Sequence, residues 1–186
     1  MVVDARVSRS KEKVVRVTLD LLAERGVAGT SVEAIAERSG VAKTTVYRHW
    51  PTKADVVLDA IATCIEPARD PDTGSLPGDL HELVGGLCEA LSSTPWAAFM
   101  PSLIDAAQRD EEFARVHHRF AAAMTAPLRS ALARGVERGE LPKDVDQDEV
   151  VDLLSAPMFY RRLVSGGPLD RTYAERVVDR VLRAYR

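Results

Sequence analysis

The segment VAKTTVYRHWPTK, Val41 to Lys53, brings Lys43, Thr44, Thr45, Tyr47, Arg48, His49 and Lys53 together in one short stretch. Cations, hydroxyls and a phenol at this density match the groups exposed by duplex DNA. A lysine donates to guanine O6 or N7, and a threonine offers its hydroxyl, or its methyl to thymine. Thr45, Tyr47, His49 and Lys53 are the types that hold phosphate oxygens and fix register. Each has a plain alternative: Tyr47 as half-buried packing, Lys43 and Arg48 as solvated charges, His49 as a surface or packing histidine. The set becomes informative through its order. Val46 and Trp50 are four apart and share the inward face of a short helix over Ala42 to Trp50, which turns Lys43, Thr44, Tyr47 and Arg48 outward. Pro51 ends that helix and opens the next, whose first amides, with Lys53 beside them, can face an anion.

The elements around this helix are those needed to aim it. Val2 to Arg9 reads as an arm carrying Arg6 and Arg9, and a helix starting near Ser10 carries the apolar stripe Val14, Val17, Leu21 and Leu22 as far as Gly26. Thr30-Ser31-Val32-Glu33 fits a capping box, with the Thr30 hydroxyl as cap and Glu33 reaching back, and opens a helix that ends at Gly40. Helix, glycine turn, helix is the helix-turn-helix order. A further helix spans Lys53 to Ile65, with Val56, Val57, Ala60 and Ile61 inward. Pro67 to Asp79 reads as a loop. Helices follow over Leu80 to Leu91, Trp96 to Gln108, Glu111 to about Glu137 through Pro127, and Asp146 to about Val164 through Pro157. The last is capped by Thr172-x-x-Glu175, with Ala174, Val177, Val178, Val181, Leu182 and Tyr185 on one face. The fold expected is all-α.

The chain has 186 residues, 46% of them hydrophobic and 28% charged, and a formal net charge of −3, which suits a soluble, cored protein of one large or two small domains. The charge is uneven. Residues 1–50 hold nine basic and six acidic groups, the remainder sixteen and twenty-two. A basic front on an acidic body implies that only the front meets a polyanion. Cys64 and Cys88 lack CxxC spacing and read as reduced thiols, the start of the chain lacks the apolar core of a signal peptide, and no run approaches bilayer-spanning length, so the expected location is cytoplasmic.

TSVEAIAERSGVAKTTVYRHWPTKADVV closely resembles the DNA-binding segment of TetR-family transcriptional regulators. Thr30, Ser31, Ile35, Ala36, Gly40, Val41, Thr45, Tyr47, His49, Trp50 and Lys53 match or nearly match that pattern. Ser39, Ala42, Trp50 and Val56 replace its usual alanine, serine, phenylalanine and leucine, and Ala42 removes a capping hydroxyl. The resemblance covers about Val14 to Ile61. It implies about nine α-helices, with a helix-turn-helix domain over 1–52, a linking helix over 53–65, and an effector-binding and dimerisation domain over 66–186. It places Thr30, Ser31, Ala42, Lys43, Thr44, Thr45, Tyr47, Arg48, His49 and Lys53 at DNA. It implies a homodimer through the last two helices, for which the Ala174–Tyr185 stripe and Val150, Leu153, Leu154 and Met158 are suited. The same residues would also suit a monomer core.

The expected function is a ligand-responsive regulator, by default a repressor, on a palindromic operator. An activator of the same fold is the runner-up, and a helical adaptor without DNA the more distant alternative. An enzyme is disfavoured: His117 and His118 are adjacent, so they point about 100° apart on a helix, and no HExxH, phosphate loop or nucleophile elbow occurs. No cofactor, metal or membrane partner is expected. Effector contacts are expected among the bulky or adaptable residues Trp96, Phe99, Met100, Leu103, Phe120, Met124, Phe159 and Tyr160. Their character points to a small hydrophobic or aromatic effector.

Overall fold

The computed structural model describes residues 5–64 and 70–185, with side chains from Ser8 onward, Trp96 excepted. Among these residues there are nine α-helices: α1 (Ala5–Arg25), α2 (Val32–Ser39), α3 (Lys43–His49), α4 (Lys53–Ala62), α5 (Leu76–Ser93), α6 (Trp96–Arg109), α7 (Glu111–Glu137), α8 (Gln147–Tyr160) and α9 (Arg171–Ala184). A π-helical turn, Arg161–Ser165, continues α8 as far as Gly166. Residues 2–4 of the expected arm, residue 65 of the expected linking helix and residues 67–69 of the expected loop lie outside the described residues.

Three helix starts differ from the sequence expectation. The first helix begins at Ala5 rather than near Ser10, so Arg9 belongs to α1 and not to an arm. No proline or glycine interrupts this stretch, and the Ser8 hydroxyl donates to Glu12 at 2.9 Å across one turn. Helix α5 begins at Leu76, four residues before the expected start, because Ser75 caps it, accepting from the Gly78 amide at 3.3 Å. Pro77 falls within its first turn, where no amide donor is missed. Helix α9 is capped by Asp170, which accepts from the Tyr173 amide at 2.7 Å, not by Thr172.

The chain divides into two compact units. The first is Met1–Cys64 with Ala98–Phe120, so the front helices are joined by most of α6 and the start of α7. Its core gathers Val14, Val17 and Leu21 of α1, Val32 and Ile35 of α2, Val46 and Trp50 at α3, and Val56 of α4. Arg38 on α2 clasps Glu24 on α1 through two hydrogen bonds of 2.6 and 2.7 Å.

The second unit is Ile65–Ala97 with Ala121–Arg186, in which α5, α8 and α9 pack on one another. Ala174, Val177, Val178, Val181 and Leu182 of α9 are all buried within a single chain. The stripe expected to meet a second subunit is therefore spent inside its own unit, as are Val150, Leu154 and Met158 of α8. Asp79 is fully buried. The Thr73 amide and hydroxyl donate to it at 2.7 and 2.8 Å, and guanidinium nitrogens of Arg134 and Arg138 lie 3.3 and 3.5 Å away. Burial pushes its carboxyl pKa up, but the hydrogen bonds and Arg134 outweigh burial and hold it below its ordinary value.

Candidate nucleic-acid interface

The reading head is built from α2, the turn at Gly40, and α3. Ser31, not Thr30, caps α2, accepting from the Ala34 amide at 3.2 Å. Thr30 is 1% exposed, and its hydroxyl donates to the Gly26 carbonyl at 2.8 Å. It therefore fixes the α1–α2 turn, and its side chain is not presented to a duplex. Nor does Glu33 close the expected capping box: with Ser31 as cap the third helical position is Ala34, and the Glu33 carboxylate bonds Lys43 instead. Gly40 ends α2 with φ of 67°, a left-handed position that strains any residue with a Cβ. Val41 is half-buried against the core, and Ala42 starts α3 through its carbonyl alone, with no side-chain cap.

Helix α3 has seven residues, about 10 Å at 1.5 Å per residue, a length the major groove accommodates. Val46 is fully buried and Trp50 is 5% exposed. The indole Nε1 donates to Asp59 at 2.8 Å, tying the end of α3 to α4. With these two anchors in place, Ala42, Lys43, Thr44, Tyr47 and Arg48 are exposed, Tyr47 to 41%. Thr45 and His49 are half-buried, and the His49 ring meets the Trp50 ring edge-on at 5.8 Å.

Lys43 is already engaged in the free protein. Its ammonium bonds Glu33 on α2 and lies 5.6 Å from the Tyr47 ring centroid. The Glu33 hydrogen bond raises the Lys43 pKa and, with the Glu33 backbone, lowers that of Glu33. Glu33 thus sits beside Lys43, a tertiary contact ten residues apart that no local spacing announces. A second feature was readable: Thr52-x-x-Asp55 forms a full capping box, so α4 starts at Lys53 and Pro51 precedes it. The box uses the Thr52 and Asp55 amides, which takes up part of the anion-facing end expected there. Lys53 is half-buried, and burial lowers its pKa.

The proposed effector residues are divided between the two units. Phe99, Met100 and Leu103 are buried and Phe120 half-buried in the first unit, while Met124 and Phe159 are half-buried and Tyr160 is 59% exposed in the second. The side chain of Trp96 lies outside the described residues. A cavity of about 440 Å³ lies within the first unit, bounded by the end of α1, the start of α4, α6 and the start of α7, and none of the eight lines it. The rings of His117 and His118 stand 6.1 Å apart, and the described residues contain no group of three or more His, Cys, Asp or Glu suited to a metal. No helix of the described residues is long and apolar enough to cross a membrane.

Comparison with known proteins bears on both units. Residues 14–60 match the family described as bacterial regulatory proteins, tetR family, and residues 70–181 match the tetracyclin repressor-like C-terminal domain. A DNA-binding transcriptional repressor, TetR, of Mycobacteroides abscessus is 34% identical over 169 residues, covering 89% of this chain and 88% of the relative. An uncharacterized HTH-type transcriptional regulator of Bacillus subtilis, YdeS, is also 34% identical, over 90% of this chain and 83% of its own length. The crystal structure of a TetR family transcription regulator superposes with a TM-score of 0.73 at 30% identity, covering 94% of this chain and 97% of the other. A FadR of Bacillus subtilis solved with stearoyl-CoA shares the fold, with a TM-score of 0.70 at 15% identity over 92% of this chain and 97% of its own.

Proposed function

Because the chain belongs to the TetR family of transcriptional regulators, we propose that it is a ligand-responsive repressor that binds a palindromic operator as a homodimer. That it is a DNA-binding regulator and not an enzyme follows from the family. The observation that carries the reading is α3 itself, a helix pinned by Val46 and Trp50 with Lys43, Thr44, Tyr47 and Arg48 turned to solvent. Lys43 and Thr44 meet base edges, and Tyr47, Arg48, His49, Thr45 and Lys53 meet phosphates, with Ser31 and Ala42 against the backbone at the helix starts. Repression rather than activation is favoured by the M. abscessus relative, whose name states that role.

For the homodimer, exposed apolar surface lies on α8 and the π-helical turn that continues it rather than on α9. Leu153 at 44%, Tyr160 at 59% and Val164 at 69% exposure, with exposed Ala156, fall at i, i+3, i+7 and i+11. Such a row on a soluble helix supports an isologous contact with its symmetry mate. Two reading heads must then reach successive major grooves about 34–36 Å apart. A hydrophobic effector in residues 66–186, drawing on Met124 and Phe159, favours the dimer with the wrong spacing, and α4 joins head to body as the lever. The site of action is the cytoplasm, where the operator lies.

Fluorescence anisotropy with the DNA upstream of its own gene tests the reading, paired with a reporter in cells lacking the protein. Sequence-specific binding and a rise in expression on deletion are expected. Equal affinity for upstream and random DNA refutes operator recognition, and a fall in expression identifies an activator.

A further inference from the structure

The cavity in the first unit has the size of a small-molecule site and an unusual charge arrangement. Its volume of about 440 Å³ lies within the range of about 300–1,000 Å³ typical of ligand pockets. Its apolar lining includes Val27, Ala54 and Phe113, each at most 5% exposed. Of its three acids, Asp105 is ion-paired and Asp110 caps a helix while keeping its charge near Lys53. Asp105 receives the Arg109 Nε at 2.8 Å, and Asp110 accepts the Phe113 amide at 2.8 Å as the cap of α7. Two of its three cations, Lys53 and Arg25, have no ion-pair partner among the described residues. The third acid, Glu112, is exposed and also unpaired. Asp110 acts on the half-buried Lys53 ammonium without pairing with it directly, and burial still outweighs it, so a ligand carboxylate would supply a direct partner together with an apolar body for the walls.

We propose that this cavity binds a small organic acid, an apolar body bearing one carboxylate that pairs with Lys53, and that bound acid and DNA phosphate compete for the same ammonium. Desolvation of Lys53, which lowers its pKa, is the cost that such a counter-ion would offset. The inference rests on Lys53 meeting a phosphate in the operator complex. It is separate from the effector proposed in residues 66–186. The site needs no movement of distant parts to act on DNA, since one side chain serves both ligands.

The test is a titration of the full chain with straight-chain carboxylates from acetate to decanoate and with benzoate, each against its neutral amide. Binding is followed by amide chemical shifts of Val27, Ala54 and Phe113. At least one acid is expected to bind about tenfold more tightly than its amide. Lys53→Met should abolish that preference, Lys53→Arg should retain it, and Glu112→Gln should strengthen it. A saturating acid should weaken duplex binding about fivefold or more, and DNA should weaken acid binding by the same factor. The proposal is overturned by no shift with any acid, by a preference that survives Lys53→Met, or by unchanged duplex affinity at saturation. A chain that binds acid with this preference but shows no sequence-specific DNA binding would instead overturn the operator reading. Intact folding of each variant is checked by circular dichroism.

Discussion

Lys43 must exchange partners to read a base, and this makes its substitution informative. In the free protein its ammonium bonds Glu33 and lies 5.6 Å from the Tyr47 ring centroid. Both members of the ion pair are largely exposed, with side-chain accessibilities of 48% and 61%, so breaking it for a guanine is a cheap exchange in water. Lys43→Ala should lower operator affinity by about tenfold to a hundredfold and flatten the preference at one base pair per half-site. Part of that loss comes from Glu33, left as a bare carboxylate on the DNA-facing side. Glu33→Gln alone removes the competitor and a negative charge. It should raise affinity for operator and random duplex alike, by about threefold at low salt, and the gain should fade as salt screens it. The specificity ratio should therefore not rise. Anisotropy titrations of wild type, both single variants and the double variant close a thermodynamic cycle. Operators mutated one base pair at a time and a salt series complete the set. Uniform weakening of Lys43→Ala across all base variants would make Lys43 a phosphate contact. Additive effects of the two substitutions would show that the Lys43–Glu33 pair does not matter in solution.

Lys53→Ala should weaken specific and random DNA by the same factor and reduce the log–log salt slope by about 0.9 per contact, and an unchanged slope would remove Lys53 from the phosphate set. Leu153→Glu on the exposed face of α8 should give a monomer by light scattering with its melting temperature little changed, whereas a stable dimer would place the interface elsewhere. Asp79→Asn leaves two guanidinium groups beside a neutral amide and should cost about 3 kcal/mol in chemical denaturation. The native pKa of Asp79 is depressed, so its stabilisation is present above the unfolded value near 3.9 and is lost as pH falls through the folded value. Wild type should therefore lose stability more steeply than Asp79→Asn on acidification below about pH 4, and parallel curves would refute the assignment.

What the sequence disclosed and what it withheld divide along one physical line. Gly26, Gly40 and Gly166 end helices with positive φ, and each stop was readable because the signal is confined to one residue. Val46 and Trp50 were legible as anchors from their four-residue spacing, and their burial leaves the cationic face of α3 outward. Cap identity was misread where two neighbours compete. Thr30 and Ser31 both carry a hydroxyl, but Thr30 is buried with the Gly26 carbonyl as its partner, so only Ser31 is placed to receive the Ala34 amide. Contacts between distant positions carried no local mark. Glu33 meeting Lys43, and Asp79 joining Arg134 and Arg138 more than fifty residues on, depend on how helices cross. The α9 stripe shows the same limit. A period of 3.6 says that one face is apolar but not whether its partner is α5 of the same chain or a second subunit. Here the stripe packs inside its own unit, while Leu153 and Tyr160 of α8 and Val164 of the turn after it stay exposed, as does Ile104 of α6. Since burial of apolar area contributes about 25 cal/mol per Å², a face already covered adds nothing to association, and the proposed dimer would draw instead on Leu153, Ala156, Tyr160 and Val164.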